Sequence, residues 1–359
     1  MSNSALRLLA GAGAKDSPVY VDDVFSTFLY DGNNGSLSID NGLDLSGEGG
    51  LVWIKGRGFS SGSWSIPHGL YDTERGANKL ISSSSDATQS TVTTGVDSFD
   101  SDGFSLNTSN TVSNSSVVDG GYVSWSFRKA PGFFDIVTYT GNGSARTISH
   151  NLGSTPGMII VKNLDQAYHW TVYHRSMGGY NYYNHLNQLY TFNNADIWNA
   201  APTSTVFSVG GSSNTNHNGD SYVAYLFAHD AQDFGTDSDE AIIKCGSYTG
   251  NGSSTGPTVD LGFEPQFILT KSIGSGDAWG LFDSMRGLAT GYGSTGGNDI
   301  YLQANANDQE YDNSNWIDLT STGFKLTNSH DFVNGNNYTY IYMAIRRPHK
   351  PASEFAATD

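Results

Sequence analysis

The sequence has little cysteine, little charge and no long apolar run, and each shortage excludes a class of protein. Cys245 is the only cysteine among 359 residues, which excludes an intrachain disulfide and a cysteine-based zinc site. No stretch approaches the roughly 20 apolar residues that a membrane-spanning helix needs. Charged residues make up only 15% of the chain, and the surplus of Ala, Leu, Glu and Lys that fills helices is missing. We therefore expect neither a helical protein nor a transmembrane one.

Basic residues are the scarcer charged type, since 18 Lys and Arg stand against 35 Asp and Glu, which gives a net charge of −17. Nucleic-acid phosphates and anionic lipids both attract basic clusters, so we expect neither a nucleic-acid partner nor a membrane partner. The abundant residues are 43 glycines and the aromatic residues, which form 13% of the chain. Aromatic residues favour strands and glycine favours turns, so the composition predicts an all-β protein.

One landmark occurs three times along the chain at a constant interval. Tyr30, Tyr139 and Tyr248 each begin a Tyr-x-Gly-Asn turn sequence, and 109 residues separate each tyrosine from the next. Further landmarks follow in the same order: an apolar strand ending in a lysine (Lys55, Lys162, Lys271), a tryptophan (Trp64, Trp170, Trp279), the pair Tyr71-Asp72, Tyr173-His174 or Phe282-Asp283, and an aromatic strand from Tyr122, Tyr222 or Tyr338. A shared order at a shared spacing indicates three internal repeats. We expect the strand-end lysines to extend into solvent.

These repeats predict three tandem antiparallel β-sandwich modules, of the jelly-roll or immunoglobulin-like kind, because apolar strands alternate with Asn-Gly and Leu-Gly turns. The predicted domains are an N-terminal anchoring arm (1–23), repeat 1 (24–131), repeat 2 (132–230), an acidic linker (231–240), repeat 3 (241–349) and a polar tail (350–359). The short joint between repeats 1 and 2 predicts rigid packing there, whereas we expect the linker to be more mobile.

The N-terminal arm contains a short apolar run followed by Gly-Ala-Gly-Ala, and we expect it to be extended or to form a short helix. Arg7 interrupts the run, so a secretory signal is not expected. Leu6, Leu8 and Leu9 are the residues that we expect to anchor the arm in a groove of a partner, because burial of apolar area drives association.

The repeat landmarks resemble those of a known group of proteins. Tyr-Thr-Gly-Asn-Gly-Ser, then Leu-Gly-x-x-Pro-x-x-Ile-x-x-Lys, a tryptophan and Asp-x-x-Arg-Gly are similar to repeat modules in structural proteins of marine tailed bacteriophages, including tail-fibre-like proteins. The similarity extends from about residue 19 to 348. It implies a location in the virion after synthesis in the cytoplasm of the bacterial host. It also implies other virion proteins as partners, and we expect a homo-oligomer in the particle.

The leading hypothesis for function is a non-enzymatic virion component of the tail or fibre that is anchored by the arm and contacts the host surface. A capsid-decorating head protein is the first alternative. A glycan depolymerase spike is the second, and it would need two carboxylates about 5 to 10 Å apart.

An aromatic and amide-rich insertion in repeat 2 is the candidate contact surface for a host glycan or for a neighbouring protein. Its candidate residues are Tyr180, Tyr182, Tyr183, Tyr190 and Trp198. Flat aromatic rings can stack on the C–H faces of sugar rings, and exposed aromatic residues also anchor protein interfaces. The alternative is a loop that packs on its own repeat.

Two acid–base pairs recur at the same place in repeats 1 and 3, namely Asp72 with Arg75 and Asp283 with Arg286. A charge-assisted hydrogen bond that clamps a turn is favoured over a catalytic role. Repeat 2 has Tyr-His-Arg-Ser at this place, which leaves the role of the pair open there.

Three aspartates before Gly103 are the only candidate ligands for a metal. Asp97, Asp100 and Asp102 resemble a short calcium-binding turn, although a solvated turn between strands is the favoured interpretation. No other cofactor is expected.

Overall fold

The computed structural model describes residues 18–59, 65–194, 196–288 and 298–349, and this part of the chain is nearly all β, with several antiparallel sheets. The prediction of an all-β protein is therefore confirmed. The anchoring residues Leu6, Leu8 and Leu9 and the polar tail lie outside the described residues. Within the described ranges, no helix is long and apolar enough to cross a membrane.

The strands follow one another along the three repeats with few helical residues between them. Repeat 1 contains β1 (Phe25–Tyr30), β2 (Leu37–Asp40), β3 (Gly50–Gly56), β4 (Gly69–Asp72), β5 (Lys79–Leu80), β6 (Ser90–Thr91), β7 (Val96–Asp100), β8 (Gly103–Leu106) and β9 (Tyr122–Arg128). Repeat 2 contains β10 (Phe134–Thr140), β11 (Arg146–Ser149), β12 (Met158–Asn163), β13 (Thr171–His174), β14 (Tyr182–His185), β15 (Thr191–Asn193), β16 (Val206–Val209), the short helix α1 (Ser213–Asn216) and β17 (Ser221–Phe227). Repeat 3 contains β18 (Ile243–Thr249), β19 (Thr258–Asp260), β20 (Pro265–Ser272), β21 (Gly280–Asp283), β22 (Tyr301–Gln303), β23 (Ile317–Thr320), β24 (Gly323–Leu326) and β25 (Thr339–Arg346). Single 3-10 turns lie at Val21–Asp23 and Ser284–Arg286.

Each repeat forms a larger sheet with the same strand order at its start. The larger sheets are β1-β9-β3-β4, β10-β17-β12-β13-β14-β15 and β18-β25-β20-β21-β22. A smaller sheet accompanies each one, in the orders β2-β8-β7, β11-β16 and β19-β24-β23. The 109-residue periodicity of the sequence thus corresponds to a recurring strand order.

The third strand of each larger sheet is buried on both faces. All residues of β3, β12 and β20 are buried, as their continuous apolar runs indicate. Because successive side chains of a strand point to opposite faces, the two faces of β3 meet different neighbours. Val52 and Ile54 pack with Ile39 and Phe104 of the smaller sheet of repeat 1, whereas Trp53 belongs to a central core.

That central core is shared by all three repeats. Phe127 of repeat 1 contacts Phe134 of repeat 2, with ring centroids 5.5 Å apart, and Phe267 of repeat 3, at 6.1 Å. Phe25 also contacts Phe267, at 5.5 Å. The larger sheets therefore bury one face against one another, and the repeats are packed together rather than separated along the chain.

The predicted linker is attached to the start of the described chain. Phe234 is buried, and the Gly235 N–H donates a hydrogen bond of 2.9 Å to the Val19 carbonyl. Tyr20 in turn packs edge-on against His349, with ring centroids 5.3 Å apart. The start of repeat 1, the linker and the end of repeat 3 thus meet in one place.

Candidate functional site

Exposed aromatic side chains are concentrated on a hairpin of repeat 2 made by β14 and β15. Across the hairpin, Tyr182 pairs with Asn193 and Tyr183 pairs with Phe192. Among the described residues, the exposed large apolar side chains include Tyr180 at 40%, Tyr182 at 37%, Tyr190 at 61% and Phe192 at 36%. Exposed amides at Asn193 and Asn194 lie beside them. These exposed rings and amides lie on one segment, the aromatic hairpin, which we define as residues 180–194.

Two of the predicted contact residues do not lie on this surface. Tyr183 is 8% exposed and stacks on Phe192, with ring centroids 5.5 Å apart. Trp198 is 2% exposed and packs edge-on against Tyr173 at 6.0 Å. The prediction of a contact role was wrong for both residues, because their rings are buried in the apolar core.

The aromatic hairpin is held by repeat 3. The ring of Tyr190 lies over Gly276 so closely that an added Cβ at Gly276 would come within 2.8 Å of it. Lys271 donates a hydrogen bond of 2.8 Å to the Leu189 carbonyl, and the Thr191 hydroxyl donates one of 3.4 Å to the Ile273 carbonyl. The position of the exposed rings thus depends on the boundary between repeats 2 and 3.

The two predicted acid–base pairs are in contact and buried. In repeat 3, Asp283 accepts hydrogen bonds from the Arg286 backbone N–H at 3.0 Å and from its Nε at 2.6 Å. In repeat 1, Asp72 accepts the corresponding bonds from Arg75. Each turn ends in a glycine with positive φ, +98° at position 76 and +118° at 287, which explains the glycine of the Asp-x-x-Arg-Gly motif.

Each of these carboxylates also binds a side chain from another repeat. The Tyr225 hydroxyl of repeat 2 donates to Asp72 Oδ2 at 2.7 Å. The Trp125 indole of repeat 1 donates to Asp283 Oδ2 at 3.0 Å, and the Arg286 guanidinium lies 5.2 Å from the centroid of the same indole. The pairs therefore connect repeats as well as clamping their own turns.

Repeat 2 has a different contact at the same place. His174 occupies the position of the aspartate, and its Nε2 lies 3.0 Å from the Tyr342 carbonyl of repeat 3. Strand β25 has Met343 where β9 and β17 have Trp125 and Tyr225, and a thioether cannot donate a hydrogen bond. An aspartate at this place in repeat 2 would therefore find no side-chain donor on β25. His174 stands there instead and donates to the backbone carbonyl of Tyr342. Arg175 is exposed.

A second set of contacts runs around the three repeats in the opposite direction. The residues directly before β4, β13 and β21 are His68, Trp170 and Trp279. His68 Nε2 lies 3.0 Å from the Gln303 carbonyl, Trp170 Nε1 donates to the Ser82 carbonyl at 2.8 Å, and Trp279 Nε1 donates to the His185 carbonyl at 3.0 Å. Each repeat thus binds both of the others, and the contacts close into a cycle.

His68 corrects one sequence interpretation. The sequence pattern pairs Trp64 with Trp170 and Trp279, but Trp64 lies outside the described residues. The strand register instead places His68 at the equivalent position, directly before β4. The interpretation was wrong because the loop between β3 and β4 is longer than the corresponding loops of repeats 2 and 3. The aromatic ring directly before β4 is also an imidazole instead of an indole.

The prediction that the strand-end lysines extend into solvent was also wrong. Lys55, Lys162 and Lys271 are completely buried. Their ammonium groups bind backbone carbonyls, and two of them reach another repeat: Lys55 donates to the Asn307 carbonyl at 3.3 Å and Lys271 to the Leu189 carbonyl at 2.8 Å. Burial lowers the pKa of Lys55 to about 7 and the pKa values of Lys162 and Lys271 to about 8.

These lysines should make the folded protein more stable as the pH rises from about 7 to about 9.5. A lysine in the unfolded chain has a pKa of about 10.4, so over this range the unfolded state holds protons that the folded state has released. Urea midpoints measured across the range should rise for the natural chain. Replacing Lys162 with methionine should reduce the increase of the urea midpoint with pH. The control Lys325→Met, at a half-buried position, should leave that increase unchanged. An equal rise in both variants would contradict this assignment.

A buried asparagine occurs at the same place in each repeat, and the sequence landmarks did not include it. Asn114, Asn216 and Asn334 each accept a hydrogen bond from the backbone N–H of the asparagine in the Tyr-x-Gly-Asn turn, at 2.9, 3.0 and 2.8 Å. Beside each lies a stacked tyrosine pair, Tyr30 with Tyr122, Tyr139 with Tyr222 and Tyr248 with Tyr340. The available signal was an asparagine six or eight residues before the tyrosine of the last strand.

The calcium candidates do not come together as a site. Asp100 accepts hydrogen bonds from the hydroxyls of Ser98 at 2.8 Å and Ser105 at 2.6 Å. Asp97 and Asp102 take no part in these bonds. Over the described part of the chain, no three His, Cys, Asp or Glu side chains are close enough together to hold a metal ion.

The fold and these contacts define an all-β protein whose three repeats bind one another in a closed cycle. The model of a protein family, the domain of unknown function DUF7483, matches residues 21–348. The chain belongs to this family. The matched region contains every strand of the three repeats. A comparison with curated proteins gives no match.

Proposed function

We propose that the protein is a non-enzymatic structural component of a bacteriophage virion, associated with the tail or its fibres and contacting the host surface. The resemblance of the repeat landmarks to those of marine phage structural proteins is the basis for the virion location. The synthesis in the cytoplasm of the host, the other virion proteins as partners and the assembly into a homo-oligomer belong to the same proposal.

A structural role is supported above all by the contacts that the buried ionisable residues make. Asp72, Asp283 and His174 are the side chains that a catalytic interpretation would select, and each of them makes a hydrogen bond to another repeat. Side chains engaged in this way stabilise a rigid body. The bonds to the carboxylates of Asp72 and Asp283 are charge-assisted, and such bonds are stronger than neutral ones and hold a fixed geometry.

We further propose that each repeat is an antiparallel β-sandwich module with the domain boundaries predicted from the sequence. The pairing of a larger sheet with a smaller one in every repeat supports this division. The arm of residues 1–23, with Leu6, Leu8 and Leu9, would attach the packed repeats to a neighbouring virion protein.

Immunogold labelling of intact particles tests the proposed location. Label on the tail or fibres is the expected result. Label on the head would favour the capsid-decorating alternative, and particles without label would contradict a virion location. Release of new reducing ends from host polysaccharide by the purified protein would instead support the depolymerase alternative.

The aromatic hairpin is the proposed contact for a host glycan, because its exposed rings lie beside exposed amides. Replacing Tyr190 with alanine should weaken binding to purified host surface polysaccharide about tenfold, which corresponds to about 1.4 kcal/mol. Met285→Ala provides the control, because Met285 is 54% exposed but lies in repeat 3, outside the hairpin. Titration calorimetry on both variants gives the comparison, and equal affinity would show that the hairpin is not the glycan contact.

A further inference from the structure

Three histidines of repeats 1 and 2 bind repeat 3 through their imidazole rings. From repeat 1, His68 Nε2 lies 3.0 Å from the Gln303 carbonyl. From repeat 2, His174 Nε2 lies 3.0 Å from the Tyr342 carbonyl, and His229 Nδ1 accepts a hydrogen bond of 3.2 Å from the Cys245 backbone N–H. The contacts between repeats 1 and 2 described above use Trp170, on the Ser82 carbonyl, and Tyr225, on the Asp72 carboxylate, and neither contact uses a histidine.

Each of these imidazoles accepts a hydrogen bond at Nδ1 from a group that can only donate. The donor to His68 is the Trp53 indole N–H at 2.8 Å, the donor to His174 is the Ser176 backbone N–H at 3.2 Å, and the donor to His229 is the Cys245 backbone N–H. The Nδ1 lone pair must therefore be free of a proton, and the rings are neutral. Protonation would place two N–H groups against each other at all three positions.

The surroundings of the rings also oppose a positive charge. Lys55 and Arg286 face His68, while Arg175 and His229 face His174. Arg175 and Lys244 face His229, and Asp230 is the one acidic group that acts on it. Burial, strengthened by these positive neighbours, lowers the pKa of His174 and His229 to about 4 and that of His68 well below its ordinary value.

We propose that mild acid releases repeat 3 from repeats 1 and 2 while repeats 1 and 2 stay bound to each other. Once a boundary opens, its histidines are solvated and their pKa returns to about 6.5. Between about pH 6.5 and about pH 4 the open form therefore binds protons that the closed form excludes, so opening becomes easier as the pH falls. Above about pH 7 both forms are neutral, and the histidines exert no such effect.

Release of repeat 3 would also act on the aromatic hairpin, because Tyr190 rests on Gly276 and Lys271 binds the Leu189 carbonyl. The proposed glycan contact would then lose its support in acid. This consequence rests on the proposed function, whereas the opening itself does not.

Hydrogen exchange of the full chain, followed by mass spectrometry at about pH 7.5 and about pH 5 and corrected for the intrinsic pH dependence of exchange, tests the proposal. Peptides that contain Cys245 or Glu310, whose backbone N–H groups donate to His229 and to the Arg57 carbonyl across the boundaries of repeat 3, should lose protection at least about tenfold in acid. Peptides that contain Gln89, whose N–H donates to the Leu164 carbonyl across the boundary of repeats 1 and 2, should keep theirs. Unchanged protection at all boundaries, or loss at all of them together, would overturn the proposal.

The variant His68→Gln/His174→Gln sharpens this test, because a glutamine amide can donate to the same carbonyls but does not titrate. It should keep more of the protection of repeat 3 at about pH 5 than the natural chain does, because His229 is then the one of these three histidines that still titrates. His150→Gln is the matched control, since His150 bonds to Thr203 within repeat 2, and it should open as the natural chain does. Opening of the double variant to the same extent as the natural chain would refute a role for these histidines. If the double variant does not fold, the exchange pattern of the natural chain decides alone.

Discussion

Replacing Asp283 with alanine should destabilise the folded chain by about 3–5 kcal/mol, the loss expected when one partner of a buried ion pair is removed. Asp283 is completely buried, and it accepts hydrogen bonds from the backbone and side chain of Arg286 and from the Trp125 indole. Its removal leaves a buried guanidinium whose nearest remaining carboxylate, that of Glu310, is 3.4 Å away. Urea unfolding followed by tryptophan fluorescence measures the change.

Two controls separate the buried charge from general damage at this position. Asp237→Ala removes an exposed carboxylate and should change stability by less than about 0.5 kcal/mol. The double variant Asp283→Leu/Arg286→Met removes both charges and should recover part of the loss, because an apolar pair can replace a buried ion pair. A single variant as stable as the natural chain would contradict the role that we assign to Asp283.

Replacing Asn216 with alanine should cost about 2–4 kcal/mol, because several buried polar groups lose their partner at once. Its side chain accepts from the Asn142 N–H at 3.0 Å and donates to the carbonyls of Ser144 and Gly210, both at 2.7 Å. These bonds hold the Tyr-x-Gly-Asn turn against the segment from Gly210 to Asn216, which precedes the last strand of the repeat. Thermal and urea unfolding of the purified variant measure the loss.

Asn218 supplies the matched control for this prediction. Asn218 is exposed and lies two residues after Asn216. Like Asn334, it precedes a glycine, so the sequence alone suggests that Asn218 is the counterpart of Asn334. In the structure, Asn216 makes the hydrogen bond that corresponds to that of Asn334. Asn218→Ala should therefore cost less than about 0.5 kcal/mol, and a loss as large as that of Asn216→Ala would show that the assignment is wrong.

The sequence predicted those features that depend on local pattern. The apolar runs of β12 and β20 indicated strands buried on both faces, and the aromatic and glycine content indicated an all-β protein. The acid–base pairs were identified because Asp and Arg lie three residues apart on one turn. Each of these signals lies within a few neighbouring residues.

The contacts between repeats could not be predicted, because they join residues far apart in the chain. Asp72 and Tyr225, for example, are 153 positions apart. The buried lysines were missed for the same reason: the carbonyl that receives Lys271 belongs to Leu189 in another repeat. Trp198 was a candidate contact residue because it follows a segment rich in tyrosine and asparagine, and the sequence does not show which of these rings are buried.

The central claim is that the three repeats form one body held by contacts between them, and cutting the chain between repeats tests it most directly. A protease site inserted between Ser238 and Asp239 would lie in the exposed stretch 236–239, beyond the buried Phe234. After cleavage at neutral pH, size-exclusion chromatography and native mass spectrometry should find both fragments together at close to the 38.5 kDa of the intact chain. Separation of the repeat 3 fragment from the rest at neutral pH would contradict the claim.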